Sequence, residues 1–252
     1  MMTEEQDIFY HLLLESLNQL KTQVAHSDFS LSKEEMEKFD PDIIIHNAKN
    51  VSKIDYKNNI TIAINELEED NCFSLRNTES KNFIPSFVKL YDEDLNDEKY
   101  KSDVVYVGNA SLLPDCIAEI QDDPNINFKI INSKPIPITS YCGGCPFEDY
   151  KKFFHMSKCT LLDNGDSNLS NYSFKLMDII YAEGNPVLHK EEQDQQFMSD
   201  IKDAINGKSF KDDFMSTDEI KKKHTSHDRM SEIFSKIGLD KLSQMILEGK
   251  GK

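Results

Sequence analysis

The chain has no tryptophan, and its 252 residues include only 29 Lys and Arg against 45 Asp and Glu, a formal charge of −16. A tryptophan-free, Asn- and Lys-rich composition reflects an AT-rich genome and carries no chemistry. The shortage of positive charge excludes more. Nucleic acids and anionic membranes reward a basic field, so neither is an expected partner of the surface as a whole; a local basic pocket is compatible with the total. There is no run of eighteen consecutive apolar residues, so no membrane span is expected. The first residues, Met1-Met-Thr-Glu-Glu-Gln-Asp7, are acidic where an export signal is basic and then apolar, which makes the cytoplasm the expected location. Five cysteines, an odd number at low density, fit reduced thiols better than a disulfide framework. No repeat of solenoid period is visible.

What is present suffices for a core: 38% of residues are hydrophobic and 29% charged, enough for one large or two small domains. Ile8, Leu12, Leu13, Leu17, Leu20 and Val24 recur at helical spacing and predict an amphipathic helix over 4–24. Ser32-Lys-Glu-Glu35 matches a capping box and opens a short helix, which Asp40-Pro41 stops before a strand, Asp42-Ile-Ile-Ile-His46. Ile60-Thr-Ile-Ala-Ile64 is a second strand, and Phe83-Ile-Pro-Ser-Phe-Val88 an extended segment broken by Pro85. The acidic run 91–100 reads as a linker or a solvated surface connection.

Beyond it the rhythm is regular. Strands are expected at 103–107, 127–131, 159–162 and 186–188, with helices at 112–121, 147–155 and 173–182 between them. Such alternation implies right-handed crossovers and a parallel sheet with helices on both faces. From about 195 to 246 the pattern predicts three helices, one starting after Ser216 and another after Gly238. The fold class is therefore α/β and Rossmann-like, divided near residue 98 into a reduced N-terminal α/β region, 1–98, and a second domain, 99–252, with a helical end.

In such sheets ligands bind outside the carboxyl ends of the strands. Gly108-Asn109 follows strand 103–107 directly. The helix of Asn171-Tyr-Ser-Phe-Lys-Leu-Met-Asp178 begins after strand 159–162, where its unpaired amides and dipole attract phosphate and Lys175 adds a full charge. Glu183-Gly-Asn185 closes that helix. The plain alternative is an ordinary helix-to-strand connection, in which Lys175, Asp178 and Glu183 are solvated.

The order of Asp103-Val-Val-Tyr-Val-Gly-Asn109, Asn127-Phe-Lys-Ile-Ile131, the 150–162 segment, Ser173-Phe-Lys-Leu-Met-Asp178 and Gly184-Asn-Pro-Val187 resembles the donor-binding half of GT-B glycosyltransferases. The likeness is closest to the group-1-like transferases related to the spore-maturation protein CgeB. Lys223-His-Thr-Ser-His-Asp-Arg-Met-Ser-Glu-Ile-Phe-Ser-Lys-Ile-Gly238 is similar to their closing helix, and the likeness spans about 99–238. The resemblance implies a GT-B-like arrangement and metal-independent transfer of a sugar from a nucleotide-sugar to an unknown acceptor, with no further cofactor. It places Gly108 and Asn109 near the donor phosphates or sugar. Lys175 falls at the diphosphate, Asp178 or Glu183 at the ribose, and Gly184 and Asn185 against the donor backbone, with Ser173 also among the donor-binding residues.

Two departures from that family stand out. The paired-glutamate motif of many retaining members is absent, its second position falling near Asp178. The N-terminal region opens with a helix and is short for a full acceptor domain. A catalytically weak nucleotide-sugar-binding protein is thus the rival expectation, and an oligomer in which a partner completes the region is another. If the N-terminal region supplies a catalytic group, His46 at a strand end is the candidate, with Asp178 as the acid–base candidate of the second domain.

Cys142-Gly-Gly-Cys145 with His155 and Cys159 offers a third reading, a tetrahedral zinc site in an interaction protein. The alternative is a variable loop with incidental thiols.

Overall fold

The computed structural model describes residues 14, 16, 17, 20, 32–46, 54, 56, 60–64, 70–74, 80–84, 87–88, 93–131, 140–163, 173–190 and 192–250. Most of the helix expected over 4–24 and the polar loop 164–172 lie outside them. Among the described residues there are eight α-helices and two parallel sheets, and the architecture is α/β and Rossmann-like. No helix among them is long and apolar enough to cross a membrane.

The chain divides into two compact units. One comprises residues 1–89 with 224–252, and the other Leu90–Lys223. The expected boundary near 98 is therefore corrected in two ways. It moves to residue 90, and the last segment returns to the first unit instead of ending the second. The cause is backbone pairing: Val88 N–H donates to His224 O (2.8 Å) and Ser226 N–H to Val88 O (3.2 Å), which joins the C-terminal segment to the first unit.

In the first unit α1 (Lys33–Phe39) starts at Ser32, whose side chain accepts from Glu35 N–H while Glu35 reaches back to Ser32 N–H. The capping box predicted from Ser32 and Glu35 is thus formed. Strands β1 (Ile43–His46), β2 (Ile60–Ile64) and β3 (Cys72–Phe73) pair in parallel in that order. Ile62, Ala63, Cys72 and Phe73 are buried there.

The second unit holds a four-stranded parallel sheet of β4 (Ser102–Val107), β5 (Phe128–Ile131), β6 (Ser157–Leu162) and β7 (Pro186–Leu188), in the order β5-β4-β6-β7. Its β-branched runs are buried on both sides, as parallel strands under helices require. Between β4 and β5 the expected helix 112–121 shortens to two 3-10 turns and a single α-turn, α2 (Ala118–Gln121). Pro114, which lacks an N–H, interrupts it. Helices α3 (Phe147–Met156), α4 (Phe174–Tyr181) and α5 (Asp194–Ile205) follow their strands. α2 and α5 pack Ile120, Phe197, Ile201 and Ala204 onto Val104, Tyr106, Ile130 and Leu161. α3 and α4 bury Phe154, Leu176, Ile179 and Ile180 outside that cluster, covering the other face. Fully burying one such side chain contributes about 2 kcal/mol, which is why the pattern fixes the sheet so firmly.

The C-terminal part contains four helices from 194 onward, not three: α5, α6 (Thr217–Lys223), α7 (Ser226–Lys236) and α8 (Asp240–Gly249). The helix expected to start after Ser216 is divided into α6 and α7 because Thr225 caps α7, accepting from Asp228 N–H while Asp228 accepts from Thr225 N–H. Lys250 binds Asp228 at 2.7 Å and fastens the end of α8 to that cap.

Candidate functional site

In chain order the second sheet runs second, first, third, fourth, so its direction of growth reverses between β4 and β6. A crevice opens at such a reversal outside the carboxyl ends of the two strands, and ligands of doubly wound folds bind there. Tyr106 pairs with Leu161 in the register of β4 and β6, which brings the residues just past both strands, Gly108 and Asp163, to one edge. The crossover places the N-terminus of α4 at that same edge.

Four side-chain positions converge. The Tyr106 hydroxyl donates to Asp163 Oδ2 and lies 3.0 Å from the Asn109 carbonyl oxygen. Lys175 Nζ stands 3.9 Å from Asp163 Oδ2 and 4.7 Å from the centre of the Tyr106 ring, a cation–π contact. Gly108 has φ +152°, and a β-carbon there would meet the Tyr106 hydroxyl at 2.9 Å and Lys175 Nζ at 3.5 Å. Tyr106 is wholly buried and Asp163 nearly so, while the Lys175 side chain keeps 20% of its surface. A buried carboxylate is tolerable when donors and opposite charge surround it, and here a phenol donates to it directly and an ammonium adds opposite charge nearby. Of the three, the lysine is the group that reaches the surface.

α4 adds its own field. Ser173 caps it by accepting from Leu176 N–H at 3.1 Å, and the positive end of the helix dipole points to the crevice. The cluster therefore presents one ammonium and one helix terminus beside a backbone without side chain, which suits an anion such as phosphate.

The expected site residues separate into two groups. Gly108, Asn109, Ser173 and Lys175 assemble at the carboxyl edge. Glu183, Gly184 and Asn185 end α4 at the amino edge, eight or more residues and about 12 Å along the helix axis from Lys175 at 1.5 Å per residue. Each has a structural partner there. Glu183 adopts φ +60° and, with Glu183 N–H donating to Ile180 O and Gly184 N–H to Ile179 O, terminates α4 in a Schellman motif. Asn185 donates to the carbonyls of Lys158 (3.0 Å) and Lys208 (2.9 Å) and accepts from Phe210 N–H (2.7 Å). Asp178 sits midway on α4, half-buried, and burial pushes its carboxyl up to about 7 despite the charge of Lys151. His46 ends β1 opposite Ala63, in the other unit.

Sequence reasoning missed Tyr106 and Asp163. The signal that finds them is the carboxyl-edge rule itself, applied to the residue after every strand and to its cross-strand neighbour.

The four zinc candidates are not brought together, which corrects that reading. Cys159 lies in the sheet core, fully buried, and burial pushes its thiol up to about 12. His155 donates from Nδ1 to the Ala182 carbonyl at 2.8 Å, closing the end of α4. The Cys145 thiol is also pushed up to about 12 by burial and by Asp149. Among the described residues no group of three or more His, Cys, Asp or Glu is arranged to hold a metal.

A surface groove of about 380 Å³ between residues 115–121 and α5 is lined by Cys116, Glu119, Asp194, Met198 and Lys202. Burial and the charges of Asp194 and Glu119 push the Cys116 thiol above its ordinary value. The switch-point cluster has the stronger chemistry.

Compared with models of known protein families and with curated proteins, the chain matches none.

Proposed function

We propose that the Leu90–Lys223 unit binds a nucleotide-sugar through its diphosphate at the β4–β6 switch point, and that the chain is a metal-independent glycosyltransferase. One observation carries the binding half: Lys175, Gly108 and the capped start of α4 meet at the edge where doubly wound sheets receive phosphate. The resemblance over 99–238 supplies the sugar and the transfer. When the glycosidic bond breaks, the leaving diphosphate gains negative charge, and a lysine and a helix terminus already aimed at it stabilise that charge without a metal. Asp178, whose carboxyl is poised near neutrality, is the acid–base candidate on the same helix.

A second reading, a nucleotide-sugar-binding protein without transfer, is favoured by the position of Glu183, Gly184 and Asn185. They form the helix stop at the far edge, so the ribose loses Glu183, leaving only Asp178 of the two partners that the resemblance implied, and the donor backbone loses Gly184 and Asn185.

Thermal unfolding with a panel of uridine-, guanosine- and adenosine-diphosphate sugars tests the binding. Stabilisation by at least one donor, removed by Lys175→Ala, is the expected result; a flat panel rejects both readings. Release of nucleoside diphosphate from the stabilising donor, lost in Asp178→Asn, then separates transfer from binding.

A further inference from the structure

His189 is the first residue past β7. Leu162 pairs with Leu188, and His189 N–H donates to Leu162 O at 2.9 Å, so His189 stands beside Asp163 at the carboxyl edge where α4 begins. It is two strand spacings from Gly108, about 10 Å across the sheet. Its ring is fixed from two directions. Nε2 lies 2.7 Å from Oδ1 of Asp194, the first residue of α5, and the ring tilts against Phe197 with 4.9 Å between centroids. A carboxylate only accepts, so Nε2 carries the proton of this contact and Nδ1 is the remaining nitrogen of the ring. The residue keeps 5% of its surface, and among the described residues Nδ1 has no hydrogen-bond partner. A buried polar atom left unpaired is costly, and nearly all such atoms in folded chains have a partner. Bulk water does not reach Nδ1, so the group that satisfies it is a discrete one.

We propose that His189 Nδ1 binds a hydroxyl group of the nucleotide-sugar, on its ribose or on its donor sugar, and that Asp194 is a positioning residue that holds the imidazole through Nε2 and leaves Nδ1 for the ligand. The inference rests on the phosphate site at Gly108 and Lys175. A sugar attached to a phosphate held there extends along the ends of β6 and β7 to His189. A hydroxyl both donates and accepts, so it suits an imidazole nitrogen in either protonation state. Nδ1 is shielded in the ligand-free chain, and hydroxyl binding therefore includes a local opening at the end of β7. His189 thus reads a feature that inorganic phosphates lack, and on the ribose it replaces the partner lost with Glu183.

Isothermal titration calorimetry of the full chain tests this with three sets of probes: inorganic pyrophosphate, the diphosphates of uridine, guanosine and adenosine, and the diphosphate sugars of the same nucleosides. His189→Phe keeps a ring against Phe197 and removes both nitrogens. It is expected to leave pyrophosphate affinity unchanged and to weaken the hydroxyl-bearing ligand about tenfold, the equivalent of one favourable contact. A loss already present with the nucleoside diphosphate assigns the ribose, and a loss confined to the sugar nucleotide assigns the donor sugar. Asp194→Ala is expected to weaken the same ligands and spare pyrophosphate, with Asp194→Asn, whose amide oxygen also accepts, restoring them; this pair carries the test through a surface residue. Equal losses for pyrophosphate and the hydroxyl-bearing ligands mark His189 as structural, and unchanged affinity for all of them leaves Nδ1 to an ordered water. Either result overturns the inference while the Lys175 phosphate site stands, as does a parent that binds pyrophosphate but no nucleotide. A parent that binds none of the probes removes the phosphate site and this inference together.

Discussion

A β-carbon on Gly184 would stand 2.8 Å from the carbonyl oxygen of Phe154, with Ile179 Cγ2 at 3.0 Å and Ile179 O at 3.1 Å. The turn after α4 is thus pressed onto the backbone of α3, and the glycine is there for space; its φ is not in the left-handed region. Gly184→Ala overpacks two backbone oxygens that cannot move independently of their helices. It is expected to lower stability by about 2 kcal/mol, read by denaturant unfolding, while leaving ligand affinity at the opposite end of α4 unchanged. A loss of affinity without loss of stability would instead return Gly184 to the ligand site.

The left-handed residue of the same turn is Glu183, at φ +60°. A side chain there is unfavourable by about 1 kcal/mol relative to glycine. Glu183→Gly is therefore expected to raise stability by that order, measured by thermal or denaturant unfolding. Donor binding is the discriminating second measurement. A carboxylate that holds a ribose diol takes affinity with it when removed, whereas a helix stop does not.

These two neighbours show where sequence reading succeeds and where it stops. Strands β4, β5 and β7 were legible as β-branched runs between polar residues, and α4 as an apolar stripe behind a serine cap, because burial imposes those patterns directly. The Glu-Gly pair ending α4 looked like ligand chemistry, since a glycine beside a carboxylate reads alike whether it meets a phosphate or a neighbouring helix. Tyr106 looked like any aromatic strand former and Asp163 like the first residue of a loop. They become a pair only through the register of β4 against β6, which aligns Tyr106 with Leu161. The return of 224–252 to the first unit was likewise hidden, because it depends on one short pairing between Val88 and Thr225, far apart in sequence.

Asp178 gives the fold a pH dependence of definite sign. Burial raises its folded-state pKa to about 7, above the value near 4 of an unfolded aspartate. Between those values the folded chain binds more protons than the unfolded one, so this residue makes stability fall as pH rises from about 4 to about 7 and then level off. Asp178→Asn keeps the shape and removes the charge. It is expected to be more stable than the parent at pH 8 by up to about 4 kcal/mol, and equal to it near pH 4, because only the ionised form is penalised. Urea unfolding across pH 4–8 measures both; a parallel offset at every pH would mean that the carboxyl does not titrate in this window. The same variant is expected to lose nucleoside diphosphate release if Asp178 transfers the proton.

Gly108 joins fold and site most tightly. At φ +152° an L side chain is strained, and its β-carbon would lie 2.9 Å from the Tyr106 hydroxyl and 3.5 Å from Lys175 Nζ. The hydroxyl has little freedom to retreat, since Asp163 and the Asn109 carbonyl both hold it. Gly108→Ala must therefore break one of those contacts. The expected outcome is a loss of about 2 kcal/mol in stability together with weaker pyrophosphate binding. Lys175→Ala alone separates the two effects: it leaves the backbone at residue 108 as in the parent, so affinity is expected to fall with little change in stability. If stability and affinity instead move together in every combination, Gly108 acts on the ligand only through the integrity of the sheet edge.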